Sequence, residues 1–190
     1  MSRLRAVLAT GNAGKAAELS RLLDREVEAR AIEVEEDADT YAGNALLKAR
    51  AALSAVGGGI GLGDDSGLEV AALGGEPGLR SARWAGPTDA DRNAALLARL
   101  DGVADRSAAF VCALAAVLPD GREIVVEGRV EGVIADAPRG AAGFGYDPLF
   151  LPVGDSRTVA ELTPDEKDVV SHRGRASRAL AAALQDAGVS

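Results

Sequence analysis

Two adjacent aspartates, Asp64 and Asp65, directly follow the apolar residues 59–63. We expect them at the exit of a buried strand, where neighbouring carboxylates cost free energy unless a cation compensates their charge. A divalent metal is the usual compensation, and Mg²⁺ prefers a few carboxylates together with phosphate oxygens. An acidic turn bent at Gly67 is the alternative, and it is compatible with a metal. The pair predicts a site where a water molecule is activated for attack on phosphorus.

A second motif whose residue types suit ligand binding comprises residues 10–15. It connects a predicted strand to a predicted helix. Its glycines allow the backbone to approach a ligand closely. Free amides at a helix start favour an anion, Lys15 adds a mobile cation, and Asn12 can donate to a phosphate oxygen. The motif is not a P-loop, because its spacing differs and Ala16 stands where the metal-binding hydroxyl would be. Locally, a phosphate-binding loop and a plain strand–helix turn are equally good interpretations.

Further candidates for metal and phosphate binding lie between these two motifs. Glu35 and Glu36, within the acidic stretch 33–39, are available to complete a metal shell. A solvated loop is the better interpretation for most of that stretch. Lys48 shares a predicted helix face with Asn44, although a single lysine is most often a surface residue.

The second half of the chain offers groups that can recognise a base. Phe144 stands in a glycine-rich segment, where a ring either stacks on a nucleobase or anchors the loop by being buried. His172 is the only histidine of the sequence and stands beside Arg173 at a predicted helix start. These two side chains and Lys167 can donate hydrogen bonds to a carbonyl oxygen. A lone histidine is nevertheless more often structural than catalytic.

The composition narrows the class of protein. The chain has 190 residues, of which 47% are apolar and 26% charged, and a formal net charge of -8. These values predict a globular protein with a substantial core and argue against a non-specific nucleic-acid binder, which needs a basic face. Cys112, the one cysteine, is expected to be a buried apolar residue. Neither a secretory signal nor a bilayer-length apolar run is visible, so we expect no membrane partner and a cytoplasmic location.

The candidate site residues must be positioned by strands and helices that alternate in the first half of the chain and by a hairpin in the second half. The hydrophobic pattern predicts strands over residues 4–9, 27–34 and the run before Asp64, and helices over 15–23, from Thr40 to about 56, 89–100 and 173–187. A hairpin is predicted over residues 107–118 and 122–134, with its turn at 119–121. The mixture predicts an α/β protein with a mixed sheet. We expect one domain over residues 1–190, with two lobes and a cleft between them.

Seven motifs, in a fixed order, carry a resemblance to a known family. They are ATGNAGK, NALLKAR, DDSGLEV, LRSARWAG, GFGYDPLF, AELTPDEK and SHRGRA, and together they span almost the whole chain. In this set and order the sequence resembles the inosine triphosphatase family of house-cleaning nucleotide pyrophosphatases. The resemblance implies a mixed α/β fold, with two lobes around a long central sheet and an active site between them. It also implies a homodimer.

The activity implied by this resemblance is hydrolysis of the non-standard purine triphosphates ITP, dITP and XTP. Cleavage between the α and β phosphates gives the nucleoside monophosphate and pyrophosphate, and Mg²⁺ is required. Asp65 is implied as general base and metal ligand with Asp64 supporting it, and Glu36, rather than Glu35, as the second metal ligand. The implied substrate-binding residues are Thr10, Gly11, Asn12, Ala13, Gly14, Lys15, Lys48, Ser66, Phe144, Gly145, Tyr146, Asp147, Lys167, His172 and Arg173.

Base selection has a physical rationale within that implied site. Hypoxanthine and xanthine carry an oxygen at position 6, where adenine carries an amino group. Donors from Lys167, His172 and Arg173 would satisfy the oxygen and be left unpaired by adenine. Each buried unpaired donor costs about 1–3 kcal/mol, so several mismatches give strong discrimination.

Two positions depart from the family pattern. Arg80 stands where the family commonly has tyrosine, and Gly43 replaces a frequent glutamate before Asn44. The first change bears on the wall of the cleft or on the dimer contact. The second removes a charge near the metal, and we expect activity to survive it.

Two other functions remain open. A related Maf-type pyrophosphatase would act on modified pyrimidine nucleotides and would have less need of His172 and Arg173. A nucleotide-binding module without turnover is the second alternative. The pair Asp64 and Asp65 argues against a pure binding module, because binding an anion rarely needs two carboxylates facing it.

Overall fold

A computed structural model describes residues 4–189 of the protein. Over that range the elements in chain order are β1 (Ala6–Ala9), α1 (Ala13–Leu22), β2 (Val27–Arg30), α2 (Tyr41–Val56), β3 (Ile60–Val70), α3 (Asp89–Arg99), β4 (Ser107–Val117), β5 (Glu123–Ile134), β6 (Phe150–Pro152), α4 (Pro164–Val170) and α5 (His172–Asp186). The six strands described form one sheet in the order β2-β1-β3-β4-β5-β6. Strand β1 is parallel to β2 and β3, and β6 is antiparallel to β5. The predicted α/β fold with a mixed sheet is confirmed.

The described residues divide into two compact units. The first unit comprises residues 4–65, 112–128 and 173–189, and the second comprises residues 66–111 and 129–172. The single domain predicted over residues 1–190 and the cleft predicted within it stay predictions. Residues 1–3 and 190 of that predicted domain lie outside the described residues.

In the first unit, β1 is apolar at every position because both of its faces are covered. Leu8 packs in a core with Leu19 of α1 and Leu180 of α5, whereas Val7 packs in a separate cluster with Ala52 of α2. Successive side chains of a strand point to opposite faces of the sheet. Helices α1 and α5 therefore cover one face of this part of the sheet, and α2 covers the other.

In the second unit, a single core joins α3 to the strand segments. Leu96 of α3 packs in one cluster with Phe110 of β4 and Phe150 of β6. The start of α3 is fixed by a capping box, in which Thr88 and Asp91 each bind the other's backbone amide. The capping box thus fixes the first turns of α3, which contact the loop of residues 144–147.

Helix α2 is predicted correctly at both ends. The hydroxyl of its N-cap, Thr40, accepts a hydrogen bond from the amide of Gly43 at 3.0 Å. Its C-cap, Gly57, adopts a left-handed conformation with a φ of 62°, which glycine adopts without steric cost. The predicted helices α1, α3 and α5 and the hairpin of β4 and β5 are also present, with ends that differ from the predicted ones by at most two residues.

The expectation that Asp64 and Asp65 follow a strand is wrong, and so is the alternative interpretation in which the chain bends at Gly67. Strand β3 continues through both aspartates and Gly67 to Val70. The strand can continue because side chains from other elements neutralise or hydrogen-bond each carboxylate, as described below. The aspartates consequently lie in the middle of a buried strand.

Three smaller differences have local causes. Strand β2 ends at Arg30 and not at residue 34, because its partner β1 ends at Ala9, which pairs with Arg30. The short strand β6 and helix α4 were not predicted. Helix α4 nevertheless has a clear sequence signal, since Thr163 caps it in a box with Glu166 and Pro164 is its first residue.

Candidate active site

Helix α2 lies unusually close to β3, and two glycines make this approach possible. A Cβ atom at Gly63 would overlap the backbone of Ala45, and one at Gly61 would overlap the backbone of Ala49 and Leu53. A larger residue at either of these two positions would push the helix away. The glycines before the aspartate pair therefore bring the α2 side chains onto the strand that carries the carboxylates.

Asp65 receives two side chains from α2, one on each carboxylate oxygen. Asn44 donates from Nδ2 to Oδ2 at 3.2 Å, and Lys48 donates from Nζ to Oδ1 at 3.1 Å. Lys48 also donates to the backbone oxygen of Asp64 at 3.2 Å. Residues four apart lie on one helix face, so a single face of α2 fixes the orientation of the Asp65 carboxylate.

The acidic stretch brings a second carboxylate to the same lysine. Lys48 Nζ lies 3.1 Å from Oε1 of Glu36 as well as 3.1 Å from Oδ1 of Asp65. The structure thus places the two predicted metal ligands around one ammonium group, whereas Glu35 is exposed. Two carboxylates suit Mg²⁺, which typically takes one or two from the protein and the remaining oxygens from water and substrate phosphates.

Asp64 points to a different set of cations. Arg173 donates from Nε to Oδ2 at 2.8 Å, Lys15 pairs with Oδ1, and the Cys112 thiol lies 3.5 Å from Oδ2. Arg173 is 1% exposed and also donates to Oε2 of Glu18 at 3.2 Å. The expectation of a buried cysteine is confirmed. Asp64, Arg173 and Glu18 form a buried chain of alternating charge, with Lys15 at its end.

The adjacent carboxylates have opposite pKa shifts. Burial raises the pKa of Asp65 above its usual value, and Lys48 and Asn44 offset only part of that effect. Burial also disfavours ionised Asp64, but Arg173 and Lys15 outweigh it and hold the pKa of that carboxyl well below its usual range. A carboxylate with a raised pKa is the better proton acceptor, and a permanently ionised one is the better anchor. These directions are compatible with Asp65 as base and Asp64 as support, and both roles stay predictions.

The predicted phosphate loop is exposed at the start of α1. Asn12 is the N-cap, and its Oδ1 accepts from the amide of Lys15 at 3.2 Å, while Thr10 Oγ1 accepts from the amide of Asn12 at 3.1 Å. Gly11, Ala13 and Gly14 are exposed to solvent. The side-chain oxygen of Asn12 is thus engaged in capping, and the exposed start of the helix is suited to an anion.

Residues 144–147 and Lys167 form a compact group in the second unit. Oδ2 of Asp147 accepts from the amide of Phe144 at 3.0 Å and from Lys167 Nζ at 2.8 Å. The Lys167 ammonium lies 4.8 Å from the centre of the Phe144 ring, within the range of a cation–π interaction. Tyr146 is buried, with its hydroxyl donating to the backbone oxygen of Ser81 at 3.0 Å. Burial raises the pKa of Tyr146 to about 12.

Helix α3 holds the backbone of this loop at Gly145. Oδ2 of Asp89 accepts from the Gly145 amide at 2.6 Å, and Nδ2 of Asn93 donates to the Gly145 carbonyl at 3.1 Å. Sequence reasoning missed both residues. Their spacing of four on one helix was the available signal, but nothing local pointed to a loop more than fifty residues away.

The remaining predicted site residues have distinct environments. His172 is buried, and its ring stacks on Phe110 with 4.6 Å between ring centres and 15° between planes. Ser66 is partly exposed on β3. The buried contacts of Arg173 assign it to the Asp64 carboxylate, and its contact with a purine stays a prediction. Sequence reasoning also missed Glu18, whose partner Arg173 is 155 positions away.

Within residues 4–189, His, Cys, Asp and Glu side chains do not gather in groups of three or more that could hold a metal ion. A metal at Asp65 and Glu36 would therefore take its further ligands from groups other than a third His, Cys, Asp or Glu side chain of residues 4–189. Among the helices described, none has the length and apolar character needed to cross a membrane.

Comparison with known proteins agrees with this α/β architecture. A model of the Ham1 family matches residues 6–183. A dITP/XTP pyrophosphatase of Symbiobacterium thermophilum is 51% identical over 193 residues, covering 97% of this chain and 95% of that protein. One of Frankia alni is 51% identical over 199 residues, covering 96% and 98%. The solved structure of the Staphylococcus aureus Ham1 protein matches with a TM-score of 0.84 and 39% identity, covering 96% of this chain and 98% of that one.

The fold class is α/β, with paired carboxylates on a central strand of a mixed sheet. The chain belongs to the Ham1 family. The resemblance drawn from the seven sequence motifs is confirmed.

Proposed function

We propose that this protein is a Mg²⁺-dependent nucleoside triphosphate pyrophosphatase that acts on ITP, dITP and XTP. The products are the nucleoside monophosphate and pyrophosphate. The observation that carries the proposal is the convergence of Asp65 and Glu36 on Lys48, beside an Asp64 that is held ionised. Relatives named dITP/XTP pyrophosphatase support the choice of substrates.

Asp65 and Glu36 are proposed to hold Mg²⁺. When bound, the ion lowers the pKa of a coordinated water and offsets charge on the phosphate oxygens. Asp65 accepts the proton of the attacking water, whose oxygen forms a bond to the α-phosphorus. The bond between that phosphorus and the bridging oxygen breaks, and pyrophosphate leaves with the electron pair. Lys15, Lys48 and the exposed start of α1 are proposed to neutralise the triphosphate.

The second unit is proposed to recognise the base. Phe144 provides a ring for stacking, with Gly145, Tyr146 and Asp147 shaping its loop. Lys167 and His172 are proposed to donate to the oxygen at position 6 of the purine. The same role for Arg173 stays a prediction, because its guanidinium is buried against Asp64 and Glu18. The support for Lys167 is its ammonium beside the Phe144 ring, where Asp147 holds it. The homodimer and the cytoplasmic location stay predictions.

A substrate assay tests the proposal directly. With Mg²⁺, we expect ITP, dITP and XTP to be hydrolysed at least about tenfold faster than ATP, because one unpaired buried donor costs about 1–3 kcal/mol. The measurement is the quantity of monophosphate, pyrophosphate and orthophosphate formed from each nucleotide. Equal rates on all nucleotides would defeat the base preference. Orthophosphate as the only inorganic product would defeat the cleavage site, and binding without hydrolysis would favour the non-catalytic module.

The same assay, applied to the wild type and to His172→Ala, distinguishes the proposed activity from a Maf-type activity on modified pyrimidine nucleotides. His172→Ala should reduce the preference for ITP over ATP if the protein reads a purine. Modified pyrimidine triphosphates should be poor substrates for both proteins. If the wild-type protein prefers pyrimidine nucleotides and His172→Ala keeps that preference, the result would favour the Maf-type activity.

Glu36 is expected to determine the Mg²⁺ requirement. Replacing it with glutamine removes one of the two carboxylates beside Lys48, so the Mg²⁺ concentration for half-maximal activity should rise at least about tenfold, as it does when even an outer partner of a metal ligand is lost. Glu35→Gln is the matched control, because Glu35 is the exposed neighbour in the same stretch. A Mg²⁺ requirement that changes in Glu35→Gln and not in Glu36→Gln would transfer the ligand role to Glu35.

A further inference from the structure

Asn44 connects the carboxylate of Asp65 to the acidic stretch. Its side chain is buried, with 2% of the residue exposed. Its Nδ2 donates to Oδ2 of Asp65 at 3.2 Å, and its Oδ1 accepts from the backbone amide of Ala38 at 3.1 Å. One side-chain amide therefore binds two separate segments, one with its donor and one with its acceptor.

The acidic stretch depends on such contacts for its position. Residues 31–38 follow an irregular path between β2 and α2, and Ala38 is two residues beyond Glu36. The stretch passes close to α2 at Gly43, where a Cβ atom would lie 2.6 Å from the Cβ of Ala38. Gly43 thus provides room for the stretch, and the hydrogen bond from Ala38 to Asn44 fastens it beside that glycine.

The two hydrogen bonds of Asn44 have different chemical requirements. The bond to Ala38 needs an acceptor oxygen, which an aspartate at position 44 would also supply. The bond to Asp65 needs a donor, and a second carboxylate there would repel the first. An amide satisfies both needs without adding charge to a site that already contains Asp65, Glu36 and Lys48.

We propose that Asn44 is a positioning residue, which orients the base Asp65 and holds the Glu36 segment at the same site. The inference rests on the function proposed above and deepens it. Asn44 acts through its two neighbours, so its loss should change both the rate of the chemical step and the Mg²⁺ requirement. A role limited to stabilising α2 would change neither.

The test compares Asn44→Ala and Asn44→Asp with a control on the same helix, Ala49→Gly. Ala49 is buried on α2, and glycine there weakens the helix without removing a bond to Asp65 or Ala38. The measurements are kcat and KM for ITP, the Mg²⁺ concentration for half-maximal activity, the melting temperature, and the hydrogen exchange rate of the Ala38 amide without Mg²⁺.

In Asn44→Ala we expect kcat to fall and the Mg²⁺ requirement to rise, each by about 10- to 100-fold. The Ala38 amide should exchange faster than in Ala49→Gly, because its acceptor is gone. In Asn44→Asp we expect the Ala38 amide to stay protected while kcat still falls. Ala49→Gly should lower the melting temperature, because it lowers helix propensity and deletes a buried methyl group. It should leave kcat and the Mg²⁺ requirement within about twofold of wild type, since it removes no hydrogen bond to Asp65 or Ala38.

The proposal is overturned if both Asn44 variants keep kcat and the Mg²⁺ requirement within about twofold of wild type, the range expected for the control. It is also overturned if Ala38 exchanges equally fast in Asn44→Ala and Ala49→Gly. If the wild-type protein releases no pyrophosphate from ITP, the proposed function is overturned instead. The exchange rate of Ala38 would then still decide whether Asn44 fastens the Glu36 segment.

Discussion

Replacing Asp65 with asparagine is expected to lower kcat for ITP hydrolysis by about 10²- to 10⁴-fold, the usual contribution of a general base. The asparagine has the same size but cannot accept the proton of the attacking water, and it is a weaker metal ligand. Asp65 is mostly buried, with Asn44 and Lys48 donating to its two oxygens. Asparagine keeps the side-chain volume and one of these two acceptors, and Lys48 keeps Glu36 as a partner, so we expect β3 to stay folded. The measurement is the single-turnover rate of pyrophosphate release at saturating Mg²⁺.

Binding distinguishes a lost base from a lost fold. Asp65→Asn should retain the melting temperature of the wild type within a few degrees and should still bind ITP, since the groups proposed to contact the triphosphate are unchanged. Asp105→Asn is the control, because Asp105 is an exposed aspartate that accepts from the Ser107 amide. An Asp65→Asn protein that hydrolyses ITP at the wild-type rate would remove Asp65 from the mechanism.

Local signals in the sequence were sufficient for much of the fold. Thr40 and Gly57 mark the ends of α2 because a capping hydroxyl and a left-handed glycine act over three or four residues. Strand β3 was misjudged because a pair of aspartates is normally a sign of a turn. The partners that keep it extended come from Lys15, 49 positions before Asp64, and Arg173, 109 positions after it.

In the candidate site, too, some residues are predictable from neighbouring sequence, whereas contacts between segments far apart in the sequence are not. Glu36, Lys48 and Asp65 were predicted as site residues, and they do meet in the first unit. Asn44 could have been added, because its spacing from Lys48 places both on one helix face. The contacts of Glu18 with Arg173 and of Asn93 with Gly145 join segments distant in sequence. Side-chain pattern alone does not specify such pairs.

The assignment of Asp64 and Asp65 to different roles follows from their partners rather than their positions. Both are buried on the same strand, and burial alone would raise both pKa values. Arg173 and Lys15 reverse the effect for Asp64, whereas Lys48 and Asn44 do not for Asp65. Lys48 is itself shared with Glu36, which leaves Asp65 with less compensation. The protein thus keeps one carboxylate ionised and the other able to take up a proton.

Among the substitutions proposed here, replacement of Arg173 is expected to lower the free energy of unfolding the most. In Arg173→Met, the buried carboxylates of Asp64 and Glu18 lose the guanidinium that contacts both. Removing one partner of a buried ion pair costs about 3–5 kcal/mol, because the remaining charge stays buried with less compensation. Asp64 keeps Lys15 as a partner, so the Glu18 carboxylate carries the larger part of this cost. Methionine preserves most of the side-chain volume, so the loss should come from charge and not from a cavity. The measurement is the free energy of unfolding in urea at neutral pH.

An exposed arginine provides the matched control for this prediction. Arg50 donates to both oxygens of Glu123 at 2.7 and 3.0 Å, but its side chain is 53% exposed. Arg50→Met should therefore cost no more than about 1 kcal/mol, because water replaces the lost partner. Adding Glu18→Gln to Arg173→Met should restore part of the lost stability, since it removes the buried charge that Arg173 contacts at position 18. Equal losses in Arg173→Met and Arg50→Met would show that the buried chain of charges does not depend on Arg173.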